Sequence, residues 1–184
     1  MQATEILMEE HRVIEKVLDS LETASNRLAA GQTIPADFLF KAVDFIRNFA
    51  DGCHHQKEEG ILFLAMEANG MPQNIEPVSV FLEEHKEGRR LTRAMLEGAE
   101  RIKIGDAAFV KQVVQNARDY VSLLREHIQR EDLILFPLAD HVIPASHHHQ
   151  LMEDFNRIED RDEIQEKYLR ISNELAEDAT ANTL

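Results

Sequence analysis

Tryptophan is absent from this chain, cysteine occurs once, and proline (5) and glycine (7) are scarce among 184 residues. Each shortage excludes something. With so little Gly and Pro, a turn-rich β architecture is disfavoured and long helices are favoured. The lone Cys53 precludes an intramolecular disulfide framework and suits a reducing compartment. No apolar run approaches the roughly 20 residues of a membrane span. Basic residues are also in deficit, 20 Lys and Arg against 34 Asp and Glu, and the net charge of −14 repels nucleic-acid backbones and anionic lipid surfaces. The opening residues Met1-Gln2-Ala3-Thr4-Glu5 lack the basic start and apolar stretch of a secretory signal. These absences lead us to expect an acidic cytoplasmic protein with neither nucleic acid nor membrane as partner.

What the chain does have is helical periodicity and nine histidines. From Thr4 to Ala30, Leu7, Ile14, Leu18, Leu21 and Leu28 recur at helical steps, with Thr4 placed to cap the helix and Gly31 to end it. A second helix is expected after Ile34, with Pro35 in its first turn, stopping at Asn69-Gly70-Met71-Pro72. The third runs from Glu76-Pro77 to Ile104-Gly105. The fourth runs from Ala107, capped by Asp106, to His141. Short links between long amphipathic helices favour antiparallel neighbours, so residues 1–143 read as an all-α four-helix bundle. Residues 144–184 read as a helical extension, packed on the bundle or at an interface such as that of a homodimer. It has a break near Glu159-Asp160-Arg161-Asp162 and frayed final residues from Ala179.

An internal repeat runs through the bundle. The segment His54-His55-Gln56-Lys57-Glu58 aligns with His127-Ile128-Gln129-Arg130-Glu131, and both His and Glu recur 73 residues later (54 to 127, 58 to 131). Glu9-Glu10-His11 likewise matches Glu83-Glu84-His85. Each half therefore carries a lone histidine on its first helix and a His-x-x-x-Glu on its second. Residues four apart lie one turn above each other, about 5–6 Å between Cβ atoms, so an imidazole and a carboxylate can converge on one ion. The surrounding positions are apolar: Ile46, Ala50, Leu62 and Ala65 on the second helix, and Leu123, Leu124, Ile134, Leu135 and Leu138 on the fourth. Two unpartnered carboxylates in such an interior would cost several kcal/mol each. Cations remove that cost, and an imidazole–carboxylate set suits iron, zinc or manganese better than calcium or magnesium. A single helical His-x-x-x-Glu is commonly a surface pair; two copies in register are harder to dismiss.

This nitrogen-rich arrangement resembles the hemerythrin-like, or HHE cation-binding, domain family. The likeness rests on Glu10-His11, His54-His55-Gln56-Lys57-Glu58-Glu59, Glu84-His85 and Leu124-Arg125-Glu126-His127-Ile128 through Phe136-Pro137. It implies an up-down-up-down bundle around two irons joined by an oxo or hydroxo group. His11, His54, His85 and His127 would be terminal ligands, and Glu58 and Glu131 bridges. It also implies a small diatomic ligand or peroxide as partner, with an unidentified redox partner. As an enzyme the protein would be a diiron oxidoreductase acting on peroxide or nitric oxide. The alternative is an iron- or oxygen-responsive regulatory or iron-storage module without turnover. The oxygen carriers of the family place a further histidine one turn after the third-helix ligand, where this chain has Arg89. With about six ligands per iron, that departure leaves two open positions where the carriers leave one. Redox chemistry or exchangeable ligand binding is therefore expected over reversible oxygen carriage.

Other residues near the motif have competing roles. His55 and Glu59 are also four apart, but the repeat selects His54 with Glu58 because position 128 is Ile. His55 is then expected at a helix edge or in a hydrogen bond outside the ligand set, as are Arg89 and Tyr120. Arg89 could bond a ligating carboxylate or extend outward. Tyr120 could bond a bound ligand or pack in the core with its hydroxyl at solvent. Cys53 reads as a buried inert thiol, and His141 and His147–His149 as peripheral.

Overall fold

The computed structural model describes residues 2–158 and 161–181, which form an all-α helical bundle with no strand among them. Helix α1 spans Ala3–Ala29. It starts just before the expected cap: the Glu5 carboxylate accepts the Gln2 backbone N–H at 3.1 Å, while Thr4 lies inside the helix and donates its hydroxyl to Asp140 at 2.8 Å. Gly31 ends the rod with φ of 75°, the left-handed conformation glycine adopts without strain.

The second rod, residues 38–68, is not uniformly α-helical. It comprises α2 (Phe38–Phe45), a π-helical stretch (Ile46–His55), a second one (Glu58–Leu62) and α3 (Phe63–Ala68). It starts later than Pro35 because residues 35–38 close a turn first, Phe38 N–H to Pro35 O at 3.1 Å. Helix α4 (Val78–Lys103) is the third rod. The fourth follows a 3-10 turn (Ala107–Phe109) and comprises α5 (Val110–Arg130), a π stretch (Glu131–Leu135) and α6 (Phe136–Val142). Asp106, expected as a cap, makes no capping bond and instead pairs with Arg101 at 2.8 Å.

Cross-rod contacts fix the directions. Between α1 and the fourth rod, His11 meets Asp132, Asp19 meets Arg125 and Asn26 meets Arg118. Between the second and third rods, Phe40 lies under Lys103, Asp51 meets Arg89 and Glu59 meets His85. In each pair one number rises as the other falls, so these neighbours are antiparallel.

Two apolar clusters fill the bundle. One contains Val13 to Ala24 on α1, Phe38 to Cys53, Leu91 to Ala99 and Val113 to Ile128. The other contains Ala3 to Leu7, Leu62 to Met66, Val78 with Phe81, and Leu135 to Ile143. His11, His54, Glu58, His85 and Glu131 fall between the two clusters and His127 sits at the edge of the first, beside Ile128, so the candidate ligands form one polar layer sandwiched by apolar ones.

The extension contributes to both clusters. Helix α7 (His148–Ile158) places Leu151 and Phe155 in one, and α8 (Arg161–Thr180) places Tyr168, Leu175 and Ala179 in the other. Tyr168 meets the rings of Phe49 and Phe45, at 5.1 and 5.7 Å between centroids. Fully burying such side chains contributes about 1.5–3 kcal/mol apiece. The tail is not frayed from Ala179: that residue is buried, and Arg27 donates to the carbonyls of Ala179 (2.9 Å) and Ala181 (2.7 Å). The break expected near Glu159-Asp160, and residues 182–184, lie outside the described residues.

Helices α4 and α5 approach closely at Gly98, where an added methyl would collide with Cγ2 of the fully buried Val113. Val113 is β-branched and stiff. Gly98→Ala should therefore lower the melting temperature despite its better helix propensity, with an overpacking cost of about 1–3 kcal/mol outweighing a gain of about 1. Thermal denaturation of the two proteins checks this.

Candidate metal centre

All six residues expected as ligands converge. His11, His54, Glu58, His85, His127 and Glu131 are at most 1% exposed. The two carboxylates lie between opposing histidines. Glu58 sits 3.4 Å from His54 Nε2 through Oε1 and 3.4 Å from His85 Nε2 through Oε2. Glu131 sits 3.2 Å from His11 Nε2 through Oε2 and 3.1 Å from His127 Nε2 through Oε1. Two groups result whose ligand atoms all lie within 4.8 Å of one another: His11, His54, Glu58 and Glu131, and His55, Glu58, His85 and His127.

The second group contains a residue assigned a different place by the sequence. His55 is neither at a helix edge nor only a hydrogen-bonding neighbour. It is 4% exposed, stacks on His85 at 3.9 Å between ring centroids, and turns Nε2 into the cluster. On an α-helix, which turns ~100° per residue, His54 and His55 would face different ways. A π-helical turn closes i→i+5, so successive side chains diverge by less and both rings face inward. The local sequence suits the wide turn. A Cβ at position 52 would lie 3.0 Å from the Arg47 carbonyl, which glycine avoids, and the Cys53 thiol donates to the Asn48 carbonyl at 3.0 Å. Cys53 is thus buried and hydrogen-bonded within the wall of the site.

Each imidazole is fixed from behind by a carboxylate. His11 Nδ1 bonds Asp132 (2.7 Å), His54 Nδ1 bonds Glu10 (3.0 Å), His85 Nδ1 bonds Glu59 (2.7 Å), His127 Nδ1 bonds Glu84 (2.9 Å) and His55 Nδ1 faces Asp51 (3.4 Å). An ionised carboxylate only accepts, so each Nδ1 carries a proton, and a ring that is neutral presents its Nε2 lone pair inward. Four of these links form a ring around the bundle: the first rod supports the second, the second the third, the third the fourth, and the fourth the first. His55 is held from within its own rod. Cations stand behind the carboxylates: Lys57 on Glu10, Arg12 on Asp132, Arg130 on Glu84 (2.5 Å), and Arg89 on both Asp51 (2.7 Å) and Glu59 (2.6 Å). Arg89 therefore neither bonds a ligating carboxylate nor extends outward; it ties together the carboxylates behind His55 and His85. Tyr120 is buried in the core and lines the same cleft as His55, and burial, followed by the charge of Asp51, raises its phenol, which stays neutral.

These residues fit a cation. Nε2 of His11, His54 and His55 and both oxygens of Glu58 and Glu131 are buried without a hydrogen-bond partner among the described residues, and unpaired groups of this kind are costly. Protons can supply part of the missing positive charge. Burial opposes protonation of His54, but Glu58 and Glu10 outweigh it and push its pKa up to about 10. Burial likewise opposes protonation of His127, and Glu131 with Glu84 raises it to about 9. His85 goes the other way, depressed by burial and by its imidazole neighbours. Glu131 is held well below the ordinary carboxylate range because His127 and His11 outweigh its burial.

Some residues near the motif lie elsewhere. Ile134, expected beside His127, is 55% exposed. His141, His147 and His149 are exposed, as expected of peripheral residues, but His148 is buried and its Nδ1 accepts the Ala3 N–H at 3.2 Å, so it caps α1. No described helix is long and apolar enough to cross a membrane.

A helical bundle with a buried layer of imidazoles and carboxylates is a cation-binding module. The hemerythrin HHE cation-binding domain description matches residues 2–139, and the chain belongs to that family. Three mycobacterial proteins, one from Mycobacterium bovis and two from strains of Mycobacterium tuberculosis, are each 30% identical over 159 residues. Each is named simply an uncharacterized protein, and the match covers 86% of this chain and 62% of theirs, less than two thirds of their length. No solved structure matches the chain.

Glu10 tests the carboxylate ring. Glu10→Ala leaves His54 Nδ1 without its acceptor while every inward-facing group remains. Metal affinity, measured by competition with a chelator, should fall about 10–100-fold.

Proposed function

We propose that the protein holds two iron ions and binds or reacts with dioxygen, peroxide or nitric oxide. The observation that carries this reading is the placement of Glu58 and Glu131, each with one oxygen toward a histidine of either group. Carboxylates so placed suit bridging between two cations, with His11 and His54 on one and His55, His85 and His127 on the other. Zinc and manganese accept the same donors; iron adds redox chemistry and an exchangeable position for a small ligand. The chain itself orients five rings through their Nδ1–H bonds, sandwiches the layer between two apolar clusters, and balances its charge with the outer arginines and lysine. Counting His55 as a fifth imidazole fills one of the two positions that the Arg89 departure leaves open. The case against reversible oxygen binding weakens accordingly.

Buried carboxylates with no other partner also favour a second reading, a module whose stability reports on iron. A cation that binds only the folded chain stabilises it by about 4 kcal/mol at a thousandfold excess over its Kd. Loss of iron should therefore lower the melting temperature markedly. Large unfolding on iron removal supports a sensor; turnover of peroxide or nitric oxide with little structural change supports an enzyme.

The central test is anaerobic purification with metal quantification and optical spectra before and after oxygen, peroxide and nitric oxide. Two metals per chain are expected, with one or fewer in His54→Ala and His127→Ala. A protein that holds at most one metal, unaffected by either substitution, would sink the reading.

A further inference from the structure

One cleft of about 410 Å³ reaches the cluster from outside, between the second and third rods, and His55 forms part of its inner wall. Dioxygen or peroxide occupies about the space of one or two waters, ~30 Å³ each, so the cleft is far larger than such a ligand needs. Its chemistry is also unlike the rest of the surface. In a chain of net charge −14, three arginines line it: Arg47, Arg89 and Arg93. Arg89 is engaged by Asp51 and Glu59. Arg47 and Arg93 are exposed and have no ion-pair partner among the described residues. The acidic lining residue, Asp51, is already shared between Arg89 and His55. Ile46, buried, and Leu96, half-buried, give the cleft an apolar wall, beside the buried Thr92. Gly88 contributes no side chain, although a Cβ there would make only ordinary contact with Tyr120 at 3.6 Å.

We infer that this cleft binds a small organic carboxylate with an apolar body. Its charge would sit between the free guanidiniums of Arg47 and Arg93 and its body between Ile46 and Leu96, directed at His55. Guanidinium forks match carboxylates in geometry and charge, and large, mostly apolar clefts with a few convergent polar groups are the usual form of small-molecule sites. The binding stands on the cleft alone; its placement beside a reactive centre rests on the proposed metal pair.

Calorimetric titration of the metal-loaded full chain with octanoate, octanamide and azide tests this. Octanoate should bind at one site per chain. Octanamide, of the same shape without the charge, should bind about tenfold more weakly or worse. Arg47→Gln/Arg93→Gln should weaken octanoate to a similar degree while leaving metal content and melting temperature unchanged. Equal binding of octanamide, undiminished binding to the double variant, or no saturable binding of octanoate overturns the inference. Azide competing with octanoate at equal affinity overturns the apolar part of it. Metal content in the same samples separates the two readings. Octanoate binding in protein without a metal pair keeps the cleft and removes the pair, and a metal pair without octanoate binding does the reverse.

Discussion

Two carboxylates removed from solvent at the centre of a helical bundle govern the rest of this structure. Glu58 and Glu131 are fully buried, and neither has a hydrogen-bond partner on its oxygens among the described residues. Buried charge of that kind persists only when compensated, because the penalty after relaxation is still several kcal/mol per ion. Everything near them can be understood as compensation: five imidazoles around them, a carboxylate behind each imidazole, and cations behind those. Positive and negative groups alternate outward from the centre to the surface, so no layer is left without a counter-charge. The two apolar clusters then do the ordinary work of folding on either side of a layer that contributes charge balance instead of apolar burial.

Much of this was legible in the sequence. The 73-residue repeat is kept in the structure to the residue: π stretches start at Glu58 and Glu131, and α-helix resumes at Phe63 and Phe136. The lone histidines of α1 and α4 sit where the matching Glu-Glu-His triplets place them. His55 was not legible, for a definite reason. Face assignment assumes a constant angle per residue, and the stretch from Ile46 to His55 departs from it without a strong signal; Gly52 and Cys53 fit the wide turn but do not announce it. The second half has no counterpart, since α5 stays α-helical up to Arg130, so the repeat does not contain this residue.

The carboxylates behind the histidines carried a signal that helix periodicity passes over. Glu10 adjoins His11, Glu84 adjoins His85, Glu59 adjoins Glu58 and Asp132 adjoins Glu131. In each adjacent pair one residue faces the cluster and the other turns sideways to a histidine on the neighbouring rod. Reading such doublets as one inward donor and one lateral support would have located four of the five outer carboxylates. Asp51 belongs to no doublet, and its partner His55 is the ring that the repeat does not contain. The tail shows the opposite case. Its interleaved apolar residues gave the helices, but only three-dimensional contacts show Tyr168 against Phe49 and Arg27 holding the last turn of α8.

The closed order of those lateral supports bears on the handedness of the bundle. Four amphipathic helices joined by short links can wind either clockwise or counter-clockwise around a common axis, and apolar stripes alone discriminate poorly between the two. Here Glu10 must find His54 and Asp132 must find His11, each to a fixed side. In the mirror arrangement the sideways carboxylate on α1 would point toward the fourth rod and that on the fourth away from α1. Four imidazoles would lose their acceptors at once. The polar layer thus selects one chirality of the fold.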